Sequence, residues 1–338
     1  LAQEKLLFPA WPQEYGGRQA PPYAVSAMRK VFEDYRWSTH ATSTTMMVGT
    51  MIQQFGTDEL KDEVLTRIVS GDVICSLGYS EPGCGSDVFA AQTRATREGD
   101  DWRIDGSKMF TSGANIAQYV LMLTRTNQDV AKHKGITLFV VPLDAEGIEI
   151  QAVHTFQDER TNITYYDGVI VKDSYRLGDV DGGVRAMSAA LELEHGGGFA
   201  KSQRSMVDAA EQLCKQLSRN GKPLIESVSA QTRLARSLVH VHLSEVIEHH
   251  ALWAGVQKMP NMAYGPMAKL FSSEKFLSDA SDLLDLTAPE SLSKRSGPAG
   301  ELNLAYRHAQ GTTIYGGTSE VHRSQIAERN LGLPRTRG

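Results

Sequence analysis

The chain has 338 residues, a formal net charge of −5, 41% apolar and 22% charged residues. That length exceeds one compact core and predicts two or three packed subdomains of an ordinary soluble globular protein. The acidic balance excludes a general nucleic-acid binder, no apolar run reaches the roughly 20 residues of a membrane helix, and Cys75, Cys84 and Cys214 lack the spacing of a zinc site or disulfide framework.

Isolated thiols and no visible signal peptide predict a cytoplasmic protein. Pro9, Pro12, Gly16, Gly17, Pro21 and Pro22 mark an irregular beginning. Helical periodicity then runs over 23–55 with few breakers. Thr57-Asp58-Glu59-Leu60 opens a further helix with capping chemistry, ending near Gly71. Residues 1–72 therefore read as a helical domain. From Val73 the pattern changes: β-forming runs recur at 73–77, 102–104, 119–123, 136–141 and 148–150, with turns at 99–101, Asp105-Gly106 and Gly135. Short strands without intervening helices predict a central antiparallel β-barrel or sandwich over 73–178. Neither βαβ alternation nor a GxGxxG opening a helix is present, which excludes a doubly wound dinucleotide fold. Residues 179–338 return to helix over 183–218, 227–256, 265–287, 299–311 and 318–330, and predict a four-helix bundle. The expected fold class is α+β, multidomain.

Three segments carry the chemistry. Leu77-Gly78-Tyr79-Ser80-Glu81-Pro82-Gly83-Cys84-Gly85-Ser86-Asp87 is a strand end that collapses into a Pro-Gly turn. Its glycines let backbone approach a ligand, and its N–H groups can converge on an anion. Alone, such a turn is more often a plain surface loop. Asp105-Gly106-Ser107-Lys108-Met109-Phe110-Thr111-Ser112-Gly113-Ala114 follows, a turn with an aromatic and two hydroxyls. Ile314-Tyr315-Gly316-Gly317-Thr318-Ser319-Glu320-Val321 lies near the C-terminus.

In this order and at these separations, with the ending Ala327-Glu328-Arg329-Asn330-Leu331-Gly332-Leu333-Pro334, the segments resemble the acyl-CoA dehydrogenase flavoprotein family over nearly the whole chain. The resemblance implies FAD, an acyl-CoA thioester and an electron-transfer flavoprotein as electron acceptor. It implies a carboxylate that takes the α-proton while the β-hydrogen leaves as hydride to flavin N5. It places Tyr79 and Ser80 along the isoalloxazine edge, and Gly85 and Ser86 at the pyrophosphate and pantetheine. Phe110 takes the place of a tryptophan packed on the flavin, with core packing as its plainer reading, and Ser112 that of a threonine bonding near N5. Thr318 and Glu320 match positions touching the nucleotide part. The Gly316 N–H is placed to polarise the thioester carbonyl.

Most relatives carry the base directly before Gly-Thr-Ser, where this chain has Gly316. A minority, often acting on branched or bulky acyl groups, carry it on the first long helix of the last domain. At about 100° per residue, Val184, Met187 and Leu191 form an apolar stripe whose next position is Glu194, with Glu192 on nearly the opposite face. A carboxylate interrupting such a stripe is costly without a task or a partner. An ordinary solvated or ion-paired glutamate is the plain alternative; the stripe, the missing Glu at 316 and the minority placement that the resemblance implies coincide on Glu194 as the base. His195 stands where relatives usually have Arg. Gly196-Gly197-Gly198, read as helical, costs about 1 kcal/mol per residue relative to Ala, which predicts either a roomy acyl pocket or close helix packing.

Two departures bear on partners. The family's Arg-x-x-Phe-Gly and Gln-x-x-Gly-Gly-x-Gly motifs hold the neighbouring subunit's flavin. Here the first has decayed to Leu217-Ser218-Arg219-Asn220-Gly221, and the second falls near Asp282–Ala288, without a glycine. The chain thus resembles the base-bearing member of actinobacterial α2β2 acyl-CoA dehydrogenases that shorten steroid side chains, where a related subunit completes the FAD site. Alternatives are a catalytically silent scaffold subunit and an oxidase or monooxygenase on the same fold. No metal-ligand set is visible, and His249 and His250 read as structural.

Overall fold

The computed structural model describes residues 1–35, 37, 40–194, 198–259 and 263–335. They form two compact units, one of residues 1–155 and 160–193, the other of residues 156–159 and 194–338.

The first unit begins with helices α1 (Pro22–Asp34) and α2 (His40–Phe55), where the periodicity predicts a single helix over 23–55. Between them Trp37 folds back on Phe32, ring centroids 4.9 Å apart. Helix α3 (Asp58–Leu60), a π-helical stretch (Lys61–Leu65) and α4 (Thr66–Ser70) follow without a break. Thr57 caps this run by accepting the Leu60 N–H at 3.2 Å, and Gly71 ends it in the left-handed conformation, both as the local sequence predicts.

Eight strands follow: β1 (Cys75–Gly78), β2 (Arg94–Glu98), β3 (Asp101–Met109), β4 (Tyr119–Arg125), β5 (Ile136–Pro142), β6 (Ile148–His154), β7 (Arg160–Lys172) and β8 (Arg176–Leu177). They make one sheet in the order β6-β7-β3-β2-β4-β5-β8, with β1 paired to β4. Pairing is antiparallel except where β1 and β2 run parallel to β4, and the sheet does not close into a barrel. Strand β4 is buried along its whole length and β5 nearly so, as expected of continuous apolar runs covered on both faces. Asp105-Gly106, expected as a turn, lies inside β3 as a bulge. Gly106 has φ +147, and a Cβ there would stand 2.8 Å from the Thr93 Cα. Helix α5 (Gly183–Glu194) buries Ala186, Met187 and Ala190 in the same core, with Val184 and Leu191 packed against it.

In the second unit α6 (Ala200–Gln216), α7 (Val228–Val256), α8 (Tyr264–Leu286) and α9 (Pro298–Thr312) form a four-helix bundle. Its core includes Met206, Leu213, Val241, Phe276, Leu283 and Leu302. The hairpin β9 (Ser218–Arg219) and β10 (Lys222–Pro223) links α6 to α7, and α10 (Ser319–Arg329) packs on α8. The predicted helix over 183–218 is two helices. Gly198 and Phe199, directly before Ala200, are not helical, and a glycine costs a helix interior about 1 kcal/mol relative to Ala. No described helix is long and apolar enough to cross a membrane.

Candidate active site

In the first unit, β1 leads into the Pro-Gly turn, and buried charge holds that turn in place. Glu81 and Cys84 bridge each other through their backbones, at 2.9 and 3.1 Å. The Glu81 carboxylate accepts the Gln92 and Thr93 N–H groups at 2.7 and 2.9 Å and the Lys108 ammonium at 2.7 Å. Lys108 is wholly buried. Burial alone raises a carboxyl pKa, but the Lys108 charge and the three hydrogen bonds outweigh it and hold Glu81 below the usual carboxylate range. Burial lowers Lys108 in turn, and Glu81 opposes that shift. Arg125 ties down the next stretch by donating to the Phe89, Ala91 and Lys132 carbonyls. With its base fixed, the turn stands open: Gly85 and Ser86 are exposed, and a Cβ at Gly83 or Gly85 would meet nothing within 4 Å.

Beside it, Ser80 accepts the Met109 N–H at 2.9 Å and is half-buried. Tyr79 belongs to the unit's core, at 8% exposure. Phe110 has φ +60 and is 58% exposed, which excludes plain core packing. A non-glycine residue in that conformation costs on the order of 1–2 kcal/mol. Neighbouring bonds hold it: Thr111 donates its N–H to the Asn162 carbonyl, and Asn162 Nδ2 donates to the Thr111 carbonyl, both at 2.9 Å. The Ser112 hydroxyl pairs with that of Thr161 at 2.9 Å.

Glu194 is the last residue of α5; its side chain, and all of His195, Gly196 and Gly197, lie outside the described residues. Glu192 is exposed. At Gly198 an added Cβ would fall 2.0 Å from Glu248 Oε1, the atom that accepts the Ala200 N–H at the start of α6, at 3.0 Å. The space at this glycine is thus filled by a capping carboxylate from α7. Phe199 meets Tyr315 edge-on at 6.0 Å and His308 at 6.5 Å, and stacks on Phe276 at 6.3 Å.

Gly316 follows Tyr315 at φ +63, with nothing within 4 Å of an added Cβ. Its N–H has no acceptor among the described residues. Its carbonyl pairs with His322 Nε2 at 3.0 Å, and the Gly317 carbonyl accepts the Lys269 ammonium at 2.5 Å. Both side chains are buried, and burial together with the neighbouring Lys269 charge lowers the His322 pKa. Thr318 caps α10 by accepting the Val321 N–H at 3.2 Å. Glu320 sits in the first turn, where its own N–H and the Thr318 hydroxyl lower its pKa. Thr318, Glu320, Glu274 and Arg323 help line a cavity of about 630 Å³ between α8 and the start of α10. The Ser319 hydroxyl in its wall is buried without a partner among the described residues.

The two decayed motifs are occupied internally. Arg219 forms a two-pronged pair with Glu290, at 3.2 and 2.6 Å, and donates to the Ala288 carbonyl. Asp282 and Asp285, at the end of α8, pair with Arg233 and Arg236 of α7.

Three family models match the chain: the N-terminal domain of acyl-CoA dehydrogenases over residues 1–72, the middle domain over 76–165 and the C-terminal domain over 181–331. The chain belongs to the acyl-CoA dehydrogenase family. A similar protein is the acyl-CoA dehydrogenase FadE26 of Mycobacterium tuberculosis, 31% identical over 99% of this chain and 86% of that one. Among solved structures, one chain of the ChsE4-ChsE5 complex from M. tuberculosis is 30% identical with a TM-score of 0.87. A chain of the Tcur3481-Tcur3483 steroid ACAD is also 30% identical, with a TM-score of 0.88. Each match covers 99% of this chain and 88% of the other.

For this acyl-CoA dehydrogenase, sequence reasoning left several supporting residues without a role. Lys108 and Tyr315 stood inside the quoted motifs and His322 directly after one, yet a motif does not show which carboxylate, imidazole or carbonyl a side chain meets. Glu159, Glu248, Lys269 and His308 lie outside the motifs and carry no local signal.

Proposed function

We propose that this chain is the base-bearing subunit of an FAD-dependent acyl-CoA dehydrogenase acting on a bulky, steroid-side-chain CoA thioester, with Glu194 as the α-proton base. The observation that carries the reading is the packing of Phe199 on Tyr315. Phe199 lies five residues beyond Glu194, and Tyr315 directly precedes Gly316. The start of the helix that follows the base and the residue before the position vacated by most relatives' base therefore meet in one aromatic cluster of the second unit. Gly316 offers an N–H for the thioester carbonyl oxygen, which would lower the α-proton pKa as enolate charge develops.

The residues present fit a flavin. The first unit offers the open Gly83 and Gly85 backbone and the exposed ring of Phe110; the second offers the cavity at the start of α10 with its Ser319 hydroxyl, unpartnered among the described residues. Bound FAD supplies the acceptor for the β-hydride. Ser80, Gly85, Ser86, Phe110 and Ser112 would hold its ring side, and Thr318 and Glu320 its nucleotide side. Tyr79, as a core residue, would act by shaping the strand end rather than by touching the ring.

A second, related chain completes the flavin site. Arg219 is committed to Glu290, and the acidic end of α8 would repel a pyrophosphate, so neither segment is available to a neighbour's cofactor. The similar structures are themselves a two-component complex and a steroid acyl-CoA dehydrogenase named for two chains. An electron-transfer flavoprotein takes the electrons onward. The test of the base is Glu194→Gln in the co-purified assembly: turnover should fall on the order of 10²- to 10⁴-fold, and near-normal turnover would remove Glu194 from the mechanism.

A further inference from the structure

Glu159, His308 and Tyr315 form a carboxylate–imidazole–phenol file within the second unit. Glu159 Oε1 faces His308 Nδ1 at 3.1 Å, and His308 Nε2 faces the Tyr315 hydroxyl at 3.2 Å. A carboxylate can only accept, so Nδ1 carries the proton. In the tautomer with its one proton on Nδ1, Nε2 offers its lone pair and the phenol donates to it. The rings of Phe199 and Phe276 wall the imidazole, at 6.5 and 6.0 Å. Tyr315 is 44% exposed and its backbone runs into Gly316, beside which a Cβ would meet nothing within 4 Å.

We propose that this file is a specificity device: His308, oriented by Glu159, pins the Tyr315 ring so that the open space beside Gly316 stays clear for a bulky acyl group. An unpinned tyrosine has other staggered rotamers within reach, and the empty volume at Gly316 is where such a ring can turn. Freed, it would obstruct a fused-ring acyl chain and leave a slender straight chain little affected. Tyr315 is then a specificity-determining residue, and His308 and Glu159 are positioning residues. The inference rests on the proposed bulky thioester substrate but not on the identity of the base.

The experiment is calorimetric binding of two probes, octanoyl-CoA and cholanoyl-CoA, to the co-purified assembly carrying Glu194→Gln. Because binding is read without turnover, a base other than Glu194 would leave the result intact. Tyr315→Phe and His308→Ala should each weaken cholanoyl-CoA about tenfold, the scale of one hydrogen bond. Octanoyl-CoA should stay within about twofold. The double variant should be no worse than either single one, since both break the same link. Equal losses on the two probes, or losses that multiply in the double variant, would overturn the proposal. Tyr315→Phe removes a single oxygen from a half-exposed side chain, so it decides the matter alone if His308→Ala does not fold.

Discussion

At the scale of single residues, buried charge supports the open surface. The Pro-Gly turn can leave Gly83, Gly85, Ser86 and Asp87 in solvent because the Glu81 carboxylate, at its root, accepts from three donors, Lys108, Gln92 and Thr93. Removing one partner of a buried pair leaves the other charged and desolvated, at a cost of about 3–5 kcal/mol. Lys108→Met should therefore lower the denaturation midpoint of the chain markedly. The sign with pH follows from the lowered Glu81 pKa. Its stabilising effect is complete above the unfolded carboxylate pKa and is lost as pH falls through the lower folded value. The stability gap between wild type and Lys108→Met should thus narrow on acidification below the ordinary carboxylate range. A gap that widens there would show that Glu81 is not the group Lys108 serves.

At the scale of elements, the break between α5 and α6 is the decisive feature. Periodicity runs on through 183–218, and the apolar stripe of Val184, Met187 and Leu191 is packed as read. Gly198 and Phe199 are not helical, and Glu248 reaches the first N–H of α6 over the bare Cα of Gly198. Gly198→Ala should push that carboxylate off the Ala200 N–H and cost about 1–3 kcal/mol, the price of a cap left unmade. Thermal unfolding would measure it, and Glu248→Ala should show a similar loss that does not add to it. Strand β7 was absent from the local reading although it is the longest in the sheet. Its burial alternates over Thr164–Asp167 and again over Val169–Lys172, but the phase shifts at Gly168, and Asp167-Gly168 resembles a turn.

At the scale of the whole molecule, the proposed flavin site draws ring-side residues from one unit and nucleotide-side residues from the other, while the segments matching the family's lending motifs are closed by internal ion pairs. Purified alone it should carry well under one equivalent of FAD. Purified with its partner chain it should show full flavin absorbance. One equivalent of FAD on the isolated chain would exclude the heteromeric site and return the function to a self-sufficient enzyme.

Family, helical character of both ends and the chemistry to look for were all legible in the residues themselves. Motif identity, glycine placement and apolar period are local properties, written within a few positions of one another. The supports of the candidate site were not legible. Glu81 and Lys108 are 27 positions apart, Ala200 and Glu248 are 48, and Glu159 and His308 are 149. Which carboxylate meets which cation or N–H depends on how strands and helices are brought side by side, and that is settled by burying apolar surface along whole elements rather than by the polar residues it joins.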